Sequence, residues 1–168
     1  MPAVKEKGFK VVLGIWPTDE AHFTQEKDAL KKWIPKFGTD NIHSITVGSE
    51  HLYRAEFTGD QLAEKIKDVR GVLKDLGADS VKIGFADSWN KIDDGTGDPA
   101  IKESDIVLAN AFSYWEGQKI DNATAKFSEN IMRTLPPSPT HLSHICVYHC
   151  ANPDSRHPKQ GPSHALNP

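Results

Sequence analysis

Glu50 closes the run "IHSITVGSE", an otherwise uncharged stretch that has the composition of a buried strand. A carboxyl group at such a strand end, half shielded from water, has its charged form disfavoured, and a raised pKa is what a general acid working near neutral pH requires. A plainer role, an ion pair with Arg54 on the surface, competes with that one. A second group of chemically capable residues lies far from it: His141, His144, Cys146, His149 and Cys150 supply imidazoles and thiols. Structural zinc sites use two paired ligand sets around a small folded unit, and this stretch lacks the second set, so no metal and no cofactor is expected. Cys146 and Cys150 would pair only in an oxidising compartment.

Hydrophobic periodicity indicates what must position Glu50. "KVVLGIW" reads as a buried strand, and the helical stretch after it carries Phe23, Leu30, Ile34 and Phe37 at spacings of seven, four and three. Pro35 predicts an end or kink at Ile34, and Gly38 suits a C-terminal cap. After "IHSITVGSE" comes a second helix with Leu62, Ile66, Val69, Leu73 and Leu76 on one face, opened by a capping box at Thr58 and Gln61 and closed at Gly77. Strand "SVKIGFAD", a short helix near "PAIKES", strand "DIVLANAFSYW" and helix "ATAKFSENIMRTL" complete the regular part.

Four strands alternating with helices predict an α/β fold with a parallel sheet, because parallel neighbours need crossovers. No Gly-rich phosphate turn follows any strand, which favours part of a (β/α)8 barrel over an open dinucleotide-binding sheet. Strict alternation puts Ser44, Thr46, Gly48 and Glu50 on the barrel-facing side, with Ile45 and Val47 toward the helices. Asn110 and Tyr114 share the inward side of the last strand, and Asp87 is placed to orient a neighbouring loop.

The 168 residues suffice for one core, and a net charge of -3 offers no field for a phosphate backbone, so nucleic acid is not an expected partner. No apolar run is long enough for a membrane span, and the N-terminus has no signal-peptide pattern. Composition breaks at Leu135. Residues 136–168 hold seven of the eleven prolines, five of the eight histidines and both cysteines. Residues 1–135 are therefore read as the folded domain and 136–168 as an irregular, disordered tail.

The ordered runs "KVVLGIW", "ITVGSEHLYR", "VKIGFADSWN" and "DIVLANAFSYWEGQ" resemble glycoside hydrolase family 17 in its fungal form, the endo-β-1,3-glucanases and glucanosyltransferases of the cell wall. The resemblance runs from about Lys5 to Leu135. It implies a (β/α)8 TIM barrel, of which this chain carries about four βα units, strands three to six. It also implies that Glu50 is the acid/base of a retaining mechanism on β-1,3-glucan. Ser49 stands where the related clan places the asparagine that bonds the sugar 2-hydroxyl, and His51 stands where alanine is commoner. Trp89 and Trp115, just past strand ends, are expected to stack on sugar rings, and Asn110 and Tyr114 to bond sugar hydroxyls or the nucleophile. Trp16 and Trp33 are read as packing.

In the family the nucleophile is a seventh-strand glutamate in a segment resembling "GETGWP", and none of Glu116, Asp121, Glu129 and Asp154 replaces it. The chain is accordingly expected to be a fragment: glucan-active by descent, lacking one carboxylate, secreted or wall-bound as a full-length protein, and prone to self-association through open sheet edges. The competing reading is an inactive carbohydrate-binding fragment or a truncated product without function.

Overall fold

The computed structural model describes residues 2–113, 116–134 and 144–148. The element order is α1 (Pro2–Glu6), β1 (Val11–Ile15), α2 (Glu20–Phe37), β2 (Ile42–Ser49), α3 (Gly59–Asp75), β3 (Lys82–Ser88), α4 (Trp89–Asp93), α5 (Asp98–Lys102), β4 (Ile106–Asn110), α6 (Ile120–Thr134) and β5 (His144–Tyr148). The strands pair in chain order, β1-β2-β3-β4-β5, and every pair is parallel. Order without a reversal is that of a barrel wall, since a doubly wound sheet changes direction at a switch point.

The helix signals act as the sequence leads one to expect, with one exception. Asp19 caps α2 by accepting from the His22 N–H, and Thr58 and Gln61 form both halves of the capping box on α3. Gly38 closes α2 through a bond to the Ile34 carbonyl, and Gly77 and Ala78 close α3 onto Lys74 and Leu73. Pro35, however, does not end α2 at Ile34. The helix runs through it to Phe37. Proline removes one hydrogen bond, and within a turn of the C-terminus that loss is small enough for the packing of Leu30 and Ile34 to override it.

The core lies on one face of the sheet. Ile45, Val47, Ile83, Phe85, Val107 and Ala109 meet Phe23, Leu62, Ile66, Val69 and Leu73 from α2 and α3. Each fully buried aliphatic side chain there contributes about 1.5–3 kcal/mol. Ser44, Thr46, Gly84 and Ala86 occupy the opposite, barrel-facing side, in register across β2 and β3.

Two expectations need correction. The sheet has five strands instead of four, because His144–Tyr148, inside the stretch read as an irregular tail, pairs along β4 from Ile106↔His144 to Asn110↔Tyr148. Although prolines are dense around it, none falls between Pro139 and Pro153, so "HICVY" keeps every N–H a ladder needs. The expectation for the rest of 136–168 lies outside the described residues. The second correction concerns alternation along β2: its register on β3 shifts between Thr46 and Ser49, where three steps on β2 match two on β3. Gly48 sits in that bulge at φ 78, and a Cβ there would approach the His51 ring to 3.3 Å. Only glycine takes both the conformation and the contact without strain.

Candidate active site

The bulge changes how Glu50 reaches its position. Simple alternation does not carry it inward. Instead the Glu50 N–H donates to the Ala86 carbonyl at 2.9 Å, and the residue adopts φ 59, a left-handed backbone that costs a non-glycine residue about 1–2 kcal/mol. A single helical turn follows, with Arg54 N–H on the Glu50 carbonyl and Ala55 N–H on the Leu52 carbonyl, and it ends on a second left-handed residue, Ala55 at φ 55. Backbone strain of this kind is concentrated at functional sites.

The Glu50 carboxylate is bonded on both oxygens. Oε1 accepts from Asn110 Nδ2 and Oε2 from Arg54 Nη2, each at 3.1 Å. Asn110 ends β4 in register with Ser88 at the end of β3, so three neighbouring strand ends meet here. They form one wall of a cleft of about 450 Å³ that also takes in Tyr53, Trp89 and Asn90. Phe112 and Glu116 also line it, and Asn130 of α6, itself fully buried, donates to Glu116 Oε2 at 2.7 Å. Another hollow, about 510 Å³ between β1 and α2, is apolar, with Glu26 as its one charged lining residue among the described residues. Chemistry belongs to the smaller one, where carboxylates, amides and aromatic rings converge.

Among the residues singled out from the sequence, Glu50, Asn110 and Trp89 share this cleft. Ser49 does not: the bulge turns it to a neighbouring hollow lined by Trp16, Glu26 and Thr46. Tyr114 and Trp115 lie outside the described residues. Trp89 has the Arg133 guanidinium 5.2 Å above its ring, so an Arg already covers one ring face. Trp16 meets His51 edge-on at 4.6 Å between ring centroids and Trp33 stacks on Phe37 at 5.5 Å, yet both rings are exposed, so neither is the core residue that the packing reading expects.

Three residues matter here more than sequence reasoning allowed. Glu116, which the sequence marks only as an unsuited nucleophile, lines the same cleft as Glu50. His51 is 1% exposed; its Nδ1 lies 3.0 Å from the Ser49 carbonyl and its Nε2 3.2 Å from Thr18 Oγ1. Since a carbonyl only accepts, Nδ1 carries a proton, with Glu56 Oε2 3.6 Å from it, and Nε2 pairs with the Thr18 hydroxyl. This ring ties the β1–α2 loop to the strand end bearing Glu50. Asp87 is fully buried and accepts three backbone N–H groups, from Leu52, Tyr53 and Ser88. Burial pushes its carboxyl above the ordinary value of 3.8; the bonds from Leu52, Ser88 and Tyr53 pull the other way, and the charge of Glu50 adds to the upward shift.

A sequential parallel sheet with helices on its outer face and a bonded glutamate at the C-terminal end of a strand is the arrangement of barrel-type glycosidases. The family model for the BtgE/BtgC glycoside hydrolase domain matches residues 1–144, and the chain belongs to this branch of glycoside hydrolase family 17. It is 43% identical over 137 residues to a glucan 1,3-beta-glucosidase of Schizosaccharomyces pombe, covering 80% of this chain and 43% of the relative. The corresponding figures for the Saccharomyces cerevisiae protein of that description are 42% over 140 residues, 80% and 45%. The chain thus spans less than half the length of these relatives. Among solved structures, an active-site mutant of Rhizomucor miehei beta-1,3-glucanosyltransferase in complex with laminaritriose matches with TM-score 0.70 and 29% identity, over 88% of this chain and 52% of that one. The family 17 structure of the glucanosyltransferase from that organism matches with TM-score 0.68 and 32% identity, over 79% and 47%.

Proposed function

We propose that this chain carries the acid/base half of a retaining β-1,3-glucan glycosidase site, with Glu50 as the proton donor to the glycosidic oxygen and then as the base toward water or an acceptor sugar. The observation that carries the reading is the carboxylate of Glu50, set at a strand end in a cleft with Trp89 and Tyr53 and held by Asn110 and Arg54. Asn110 orients the group by donating to the oxygen that does not face Arg54. Trp89, which lines the cleft, offers its ring to a sugar. Tyr114 and Trp115, four and five residues past Asn110 in the sequence, are proposed as further sugar contacts. Ser49 is proposed as a more distant sugar contact beyond the bulge.

A retaining glycosidase needs a second carboxyl group about 5–5.5 Å from the first. With β1 taken as the third barrel strand, β5 takes the place of the seventh, where family 17 carries its nucleophile. The residues from His144 to Cys150 read "HICVYHC" and include no acid. Glu116 lines the same cleft but has one oxygen held by Asn130, which suits sugar contact better than attack on the anomeric carbon. The chain as given is therefore proposed to bind β-1,3-glucan without turning it over, and the extracellular cell wall is the place such a substrate implies. The test is paired: laminarin incubated with the chain releases no reducing sugar above a protein-free control, while laminari-oligosaccharides quench tryptophan fluorescence with millimolar affinity, about -4 kcal/mol. Turnover that vanishes in Glu50→Gln would overturn the inactive reading; fluorescence unchanged at saturating sugar would overturn the glucan reading.

Self-association is proposed as well. Among the described residues β1 pairs on one side only, and it carries the exposed Val12 on the barrel-facing side, in register with Ser44, with Phe9 exposed just ahead of it. Unpaired strand edges of this composition recruit other chains.

A further inference from the structure

The turn that carries Glu50 begins with amides that have no helical partner. In a helical turn opening at Glu50, the N–H groups of Leu52 and Tyr53 precede the first carbonyl able to accept them. Both point below the turn, toward β3, and both are met by one side chain: Asp87 Oδ2 accepts from Leu52 at 2.9 Å and Oδ1 from Tyr53 at 3.1 Å. Asp87 lies on the core side of β3, two residues beyond Phe85 and in register with Ala109. An acid is out of place on that face unless its oxygens are engaged. They are, since Oδ1 also takes the Ser88 N–H at 2.8 Å.

We propose that Asp87 is a positioning residue for Glu50, holding the left-handed turn from beneath so that the Glu50 carboxylate stands at the hydrogen-bonding distance of Asn110. The inference rests on the reading of Glu50 as the working carboxylate, but its geometry is independent of any sugar. Two oxygens spread over three amides are the necessary chemistry. Asparagine in this place keeps one acceptor oxygen for Tyr53 and Ser88 and turns an NH₂ group toward the Leu52 N–H. Alanine leaves all three donors without a partner. The turn is flanked by two positive-φ residues, Glu50 and Ala55, so it has no intrinsic preference to fall back on once the amides are released.

The experiment is NMR spectroscopy on the full chain, following the side-chain amide of Asn110, which reports directly on its bond to Glu50 Oε1, and the exchange rates of the Leu52 and Tyr53 backbone amides. In Asp87→Asn the Leu52 amide is expected to exchange about tenfold faster, and in Asp87→Ala both amides do so. In both variants the Asn110 amide signal moves toward its position in Glu50→Ala. Val69→Ala, a core substitution far from the turn, serves as the control that lowers stability without moving that signal. An Asn110 signal unchanged in a folded Asp87→Ala chain, or displaced equally in Val69→Ala, overturns the proposal. So does failure of the isosteric Asp87→Asn chain to fold, which would make Asp87 a folding residue and nothing more specific. None of these signals needs glucan, so a chain that shows them yet binds no laminari-oligosaccharide sinks the glucan reading alone.

Discussion

The C-terminal ends of β2, β3 and β4 and the outer edge of β1 are built on opposite terms. At the strand ends, polar groups are numerous and engaged: Glu50 with Asn110 and Arg54, Asp87 with three amides, His51 between Ser49 and Thr18. Backbone strain is accepted there at Glu50 and Ala55. Along β1 the surface is apolar and open, with Val12 and Trp33 each 41% exposed and a hollow lined by Leu13, Ile15 and Phe37. The groups named in the first region find their hydrogen-bond partners within this chain. The second has a shape that calls for a neighbour. A wall segment of a barrel looks like this when its chemistry is mounted on central strands and its edges were shaped for closure.

Substitutions that damage the sheet under both regions should have the largest effect. A Cβ on Gly84 would fall 1.6 Å from the Ile106 carbonyl oxygen, inside the β3–β4 ladder that aligns Ser88 with Asn110. Gly84→Ala is expected to cost about 3 kcal/mol or more and to leave a chain without a cooperative transition in chemical denaturation. If it melts like the parent, β3 and β4 are not held as closely as described.

The edge comes next. Light scattering at tens of micromolar is expected to show dimers or larger species, and Val12→Lys, which places a charge on the edge strand, should shift the distribution toward monomer. A monomeric parent chain with a single cooperative melt would mean that the edge is protected and that the contrast between the regions is false.

The buried carboxyl of Asp87 gives a pH test of the strand-end region. Its folded pKa lies above the unfolded 3.8, so the folded state binds the proton more tightly, and the stability this contributes is present below pH 3.8 and lost as the pH rises through the folded value. Measured by urea denaturation across that window, the stability of the parent relative to Asp87→Asn should fall with rising pH. A difference that grows instead would show that the three N–H bonds outweigh burial.

The smallest effect belongs to the solvated face between α2 and α3. Lys27 and Asp68 form an ion pair there at 2.5 Å, and Lys65 forms another with Glu20. Asp68→Asn is expected to change stability by about 0.2–1 kcal/mol, fading with added salt. A larger, salt-insensitive loss would place that face among the elements that fix α2 and hence the open edge.

Local signals that act within a few residues were legible in the sequence. The caps at Thr58, Gln61 and Gly77, the apolar stripe of α3, the alternation of strands and helices, and a carboxylate at the end of β2 all follow from propensity and periodicity, which need no partner. Family resemblance then singled out Glu50 from the other acids. The placement of Glu50 was not legible, because alternation fails at the Gly48 bulge, and a bulge depends on the register of the adjacent strand. A loop-orienting role for Asp87 was legible, but its partners Leu52 and Tyr53, 35 and 34 residues away in sequence, were not, nor was the meeting of Glu116 with Asn130. Strand β5 escaped for a similar reason: five residues amid prolines carry too little signal alone, and the free edge of β4 supplies the hydrogen bonds that make them a strand. Local periodicity thus determined the elements, while pairing across the sheet decided which side chains meet, because contacts between distant residues are set by register and not by composition.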